Sequence, residues 1–95
     1  MNQYEALYII VPTLDEEGVK ASVEKFKGIV ESNGGTIVAI DEWGKKRLAY
    51  SIDYKTEGYY VLMSFSCAPE LPRELERNFK NDEAILRYLV TRKDA

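Results

Sequence analysis

The chain has 95 residues, 45% of them hydrophobic and 31% charged, with a formal net charge of −3. That composition fits one soluble globular domain spanning residues 1–95 and excludes disordered and fibrous chains. The lone cysteine, Cys67, rules out an intrachain disulfide, the lack of histidine removes His-based triads and most zinc sites, and the acidic balance argues against holding nucleic acid by bulk charge.

Residues 4–11 read as a strand, almost wholly apolar or aromatic and ended by Pro12, which cannot donate to a ladder. Thr13-Leu14-Asp15-Glu16 then offers a helix start with Thr13 or Asp15 as N-cap. The spacing of Val19, Val23, Phe26 and Val30 predicts a helix over 15–32 with one apolar face, widened by Ile29 and edged by Ser22. Asn33-Gly34-Gly35 stops it. Residues 36–52 predict a long strand with an irregularity at Gly44, because a glycine inside a strand marks a bulge or bend. A polar loop is expected over 53–58. The next strand, 59–67, carries Tyr59, Val61, Met63, Phe65 and Cys67 on one face. Pro69 and Pro72 open a second helix with Leu71, Leu75 and Phe79 as its stripe. Asn81-Asp82 ends that helix, and a last strand runs over 85–92.

The order β-α-β-β-α-β predicts an α+β fold, the ferredoxin-like split βαβ sandwich. Its expected form is a four-stranded antiparallel sheet with two helices on one face. The other face should then be polar, yet the first strand does not comply. Tyr4, Ala6, Tyr8 and Ile10 form one row, while Leu7, Ile9 and Val11 fill most of the other. Trp43 adds to the excess. One face is therefore expected to keep an apolar or aromatic patch, either as scattered exposed aromatics or as a surface for RNA stacking or a protein partner.

No catalytic constellation emerges. Cys67 has no imidazole partner and falls on an apolar strand row, as a core residue would. Asp15-Glu16-Glu17 suits the first turn of a helix, where acids favour the dipole, better than a metal site. No glycine-rich nucleotide cradle occurs. Neither a cofactor nor a metal is therefore expected. No apolar run has the length of a membrane span, and Met1-Asn2-Gln3-Tyr4-Glu5 does not begin as a signal peptide does, so a cytoplasmic address is expected. The basic run Lys45-Lys46-Arg47, between Trp43 and Tyr50, is the best local RNA-contact candidate. On composition alone a solvated strand tip explains it more simply. Arg87, Arg92 and Lys93 add positive charge on the last strand, whereas Arg73, Arg77 and Lys80 belong to the solvent side of the second helix.

Trp43-Gly44-Lys45-Lys46-Arg47-Leu48-Ala49-Tyr50 resembles the W-G-x-[KR]-x-L-A-Y signature of bacterial small-subunit ribosomal protein number six. The opening Tyr4-Glu5 is similar to that family's start. Gly58 with Tyr60-Val61-Leu62-Met63 is similar to its third strand, and Leu75 to Lys80 and Ile85-Leu86-Arg87 are similar to its second helix and last strand. The resemblance runs the whole chain in order. It implies a non-catalytic structural constituent of the small ribosomal subunit. Such a protein binds the central domain of small-subunit ribosomal RNA together with a basic partner, small-subunit ribosomal protein number eighteen. By position it makes Tyr4, Arg87, Arg92 and Lys93 RNA-side candidates, with Lys45, Lys46 and Arg47 as a second group. Trp43, Leu48 and Tyr50 become candidates for the protein-partner surface or for packing. Two other uses of the same sandwich compete. An acylphosphatase-like enzyme would need a phosphate cradle and an arginine after the first strand, which Val11-Pro12-Thr13-Leu14 lacks. A small-molecule-sensing regulatory domain that dimerises through its sheet would reveal itself by ligand-dependent stabilisation.

Overall fold

The computed structural model describes residues 2–52 and 55–93, with backbone alone at 49–52. The elements follow the expected order: β1 (Asn2–Ile10), α1 (Glu16–Ser32), β2 (Thr36–Ile52), β3 (Lys55–Cys67), α2 (Leu71–Lys80) and β4 (Ile85–Arg92). The strands form one sheet in the order β2-β3-β1-β4, and every neighbouring pair is antiparallel.

Asp15 is the N-cap of α1, its Oδ1 accepting from the Gly18 amide at 2.8 Å. That satisfies one of the amides left over at a helix start. Val19, Ser22, Val23, Phe26 and Val30 are the residues α1 buries, as their spacing predicts. Leu71, Leu75 and Phe79 do the same for α2. Both stripes meet the sheet row of Tyr4, Ala6, Tyr8 and Ile10 on β1 and Val61, Met63, Phe65 and Cys67 on β3. At the centre the Phe26 and Phe79 rings lie 4.3 Å apart, with Tyr8 at 5.3 Å and 4.9 Å from them and Tyr88 5.5 Å from Phe79. Tilted and offset rings at such distances add to the area they bury. A strut on the rim ties α1 to the turn before β4. Lys25 Nζ pairs with Asp82 Oδ2 at 2.8 Å, and Asp82 Oδ1 accepts from the Ala84 amide at 2.9 Å.

Two strand starts differ from the sequence expectation. β1 starts at Asn2, whose backbone pairs with Cys67, rather than at Tyr4; ladder bonds are indifferent to polar side chains. β3 starts at Lys55 rather than Tyr59. Of the expected polar loop, residues 55–58 are strand, and Asp53 and Tyr54 lie outside the described residues. The β1 ladder stops at Ile10↔Tyr59, so from Gly58 outward β3 pairs with β2 alone. A two-stranded ribbon has no helix over it and need not alternate, which is why its polar sequence reads as loop.

Candidate nucleic-acid and protein interface

The face of the sheet away from the helices is built in transverse rows, set by the strand registers. Thr36, Ser66 and Gln3 form one row, and Ala39, Ser64, Glu5 and Thr91 the next. Asp41, Leu62, Leu7 and Leu89 follow, and then Gly44, Tyr60, Ile9 and Arg87. The face therefore grades from polar at one end to apolar at the end where the ribbon leaves the sheet. Leu89 is 59% exposed and Trp43 41%. Leu7, Ile9, Arg87 and Leu89 line a shallow hollow there.

Trp43 reaches this face through a β-bulge. The ladder shifts between Glu42 and Gly44, and Gly44 takes φ +85°, a left-handed conformation that glycine adopts without strain. The indole stacks on Tyr60 (centroids 6.2 Å apart, 11° between planes) and donates from Nε1 to Asp41 Oδ2 at 3.0 Å. Lys46 Nζ lies 5.9 Å from the Trp43 ring centre, within cation–π range.

The basic run is divided between the two sides of the sheet. Lys46 is opposite Gly58 and shares the open face with Tyr60. Lys45 is opposite Tyr59 and points to the helix side, where it lines a groove with Asp15, Glu16, Glu42 and Tyr59. Tyr59 Oη donates to Glu42 Oε1 at 2.9 Å, and burial first, then this carboxylate, pushes its phenol above the usual range. Lys45 thus sits among acids. Arg47, opposite Glu57, alternates to the same side as Lys45 and is exposed. On the other edge, Arg87 joins the open face beside Ile9. Arg92 is opposite Tyr4 and reaches Asn2 Oδ1 at 3.2 Å, while Lys93 Nζ is 3.8 Å from Glu5.

Two candidates have surroundings the sequence did not reveal. The Tyr4 ring is 8% exposed and stacks 5.9 Å from Phe65 on the helix side, so its faces belong to the core. Leu48 is 6% exposed and packs over Gly58 toward Ile9, so packing is its visible role. The Tyr50 side chain lies outside the described residues. In return, the structure adds Tyr60, Leu62, Leu89 and Asp41 to the face. The alternate row of the third strand already held Tyr60 and Leu62, but their pairing with Trp43 and Leu7 needs the register.

Cys67 is buried, and burial followed by Glu70 raises its thiol above the usual range, which suits a packed residue and not a nucleophile. Among the described residues no cluster of three or more His, Cys, Asp or Glu is placed to hold a metal, and no helix is long and apolar enough to cross a membrane. A split βαβ sandwich whose exposed groups are a graded sheet face with cations on both edges is a binding module.

The family model described as ribosomal protein S6 matches residues 3–92. The small ribosomal subunit protein bS6 of Clostridium novyi is 51% identical over 90 residues, covering 95% of each chain. That of Clostridium botulinum strain Hall is 50% identical over 90 residues, covering 95% of this chain and 96% of its own. The crystal structure of ribosomal protein S6 from Thermotoga maritima superposes with a TM-score of 0.93 at 31% identity, covering 97% of this chain and 87% of that one. The chain belongs to the ribosomal protein S6 family, whose members are structural, non-enzymatic components of the small ribosomal subunit, cytoplasmic in bacteria. The regulatory-domain alternative is not favoured.

Proposed function

We propose that residues 1–95 act as one domain that binds the central domain of small-subunit ribosomal RNA jointly with small-subunit ribosomal protein number eighteen. The observation that carries this reading is the graded open face on a chain of net charge −3. Its apolar rows suit a protein, and its edge cations suit phosphates. Trp43, with Leu7, Leu62 and Leu89, meets the partner; Leu48 packs beside Ile9 at the edge of that floor, and Tyr50 is assigned to the same surface by its place in the family signature. Lys46, Arg87, Arg92 and Lys93 face RNA, with Lys45 and Arg47 contributing at the ribbon and Tyr4 holding the β1–β3 end in place. A basic partner supplies the bulk positive charge that this chain lacks.

A gel shift with the RNA junction, with and without the partner, at two salt concentrations tests this. Binding that requires the partner is expected, with log K falling against log salt at a slope of roughly −0.9 per neutralised phosphate. Equal binding to unrelated RNA would overturn it.

A further inference from the structure

Gly58 stands where the four-stranded part of the sheet gives way to the β2–β3 ribbon. Its neighbour Tyr59 still faces Ile10 of β1, while Gly58 pairs only with Lys46 of β2. A Cβ at Gly58 would overlap Ile9 Cγ2 and lie 3.7 Å from Leu48 Cδ2. Ile9 and Leu48, 7% and 6% exposed, close over the space that the glycine leaves. Among the described residues they are the buried hydrophobics of the open face, because the other buried hydrophobics of the strands face the helices. Ile9 is β-branched and stiff at χ1, so it yields less readily than an unbranched chain would.

We infer that Ile9, Gly58 and Leu48 form a lock that fixes the angle at which the ribbon leaves the sheet, with Gly58 as the positioning residue. The ribbon carries Lys46, Arg47 and Lys55, and Ile9 is register partner to Arg87 on the far edge. The lock thereby sets the separation between the ribbon cations and Arg87 across the apolar floor. Phosphate contacts fix a protein's register on a folded nucleic acid, so two cationic groups engage neighbouring phosphates together most favourably when their separation is held in advance. This inference rests on the proposed RNA role, and it assigns the spacing of that surface to a contact none of the cations makes.

The test compares wild type, Gly58→Ala and Gly58→Ala/Ile9→Ala, each in complex with the basic partner and the RNA junction, well below the melting temperature of the least stable variant. Residual dipolar couplings of backbone amides in 45–48 and 55–58 report the ribbon angle; those of helices and sheet report the fold. In Gly58→Ala the ribbon couplings are expected to leave the common alignment while the rest stay on it. RNA affinity should fall about tenfold and the salt slope by about one, as when one phosphate contact is lost. The double variant, whose smaller side chain makes room for the new Cβ, should recover both. Unchanged ribbon couplings in Gly58→Ala overturn the lock, as does a reoriented ribbon with unchanged affinity. If wild type itself shows no preference for the junction, the RNA reading fails instead, and the ribbon couplings still decide whether the lock exists.

Discussion

The two faces of the sheet carry similar residues and meet different fates. On β1, Tyr4, Ala6, Tyr8 and Ile10 face the helices at 0–8% exposure. The intervening Leu7 and Ile9 look outward onto a surface where Leu89 and Trp43 stay more than 40% exposed. Apolar character alone therefore does not separate core from interface. What separates them is whether the chain supplies a helix stripe to cover the row. On the covered side α1 and α2 supply two, and on the open side nothing described in the chain does.

Substitutions sharpen this comparison. The largest effect is expected from Phe79→Ala, which removes a ring 1% exposed and in contact with Tyr8, Phe26 and Tyr88. Urea denaturation should show a loss of about 3–5 kcal/mol; a loss under about 1 kcal/mol would erase the distinction between the faces. Tyr8→Phe should go the other way. The Tyr8 hydroxyl is buried with no hydrogen-bond partner among the described residues, so removing it should raise stability by about 1 kcal/mol. The same burial, followed by the Glu42 charge, raises the Tyr8 phenol far above its ordinary value. The unfolded phenol ionises near pH 10 and the folded one only well above that. Its contribution is thus complete below pH 10. It declines by about 1.4 kcal/mol per pH unit as pH rises from there toward the folded value. Unfolding measured from pH 9 to 11.5 should lose stability less steeply in Tyr8→Phe than in wild type.

Asp15→Ala, which removes the cap on Gly18, should cost about 1 kcal/mol in thermal or urea unfolding. The smallest change in stability is expected at Leu89→Ser on the open face, within about 0.5 kcal/mol. The same variant should weaken pairing with the basic ribosomal partner, read by titration calorimetry. Undiminished pairing would remove Leu89 from the partner surface.

Element order, both helix stripes and the helix-facing row of β3 were legible because each rests on a short-range period that burial imposes. The glycine signal at Gly44 was legible too, since few other residues take φ +85°. The ribbon was not, because residues 55–57 bury no side chain and Gly58, though buried, has none to write an alternation. The site was legible only in part. Trp43 and the cations stand out by type, but the division of Lys45-Lys46-Arg47 between two sides depends on strand phase and on a bulge whose position no period reports. The burial of Tyr4 and Leu48 depends on Phe65 and Gly58, residues distant in sequence.

The ladder of β2 is offset twice, between Ile37 and Ala39 and again between Glu42 and Gly44. Each offset behaves like a frameshift in a two-letter code, exchanging inward for outward downstream of it. Together they cancel, so Thr36 and Lys46 look the same way while the stretch between the offsets runs in the opposite frame. Val38 and Trp43 are the extra residues of these offsets, so they act as slack in the strand. Losing either would leave the ladder regular there and keep Lys46 opposite Gly58. Losing a paired residue instead, such as Asp41, with both offsets kept, would turn Lys46 toward the helices and bring Lys45 and Arg47 out in its place, without changing a single cation. Length within the paired stretches is thus as much a part of the surface's specification as residue type.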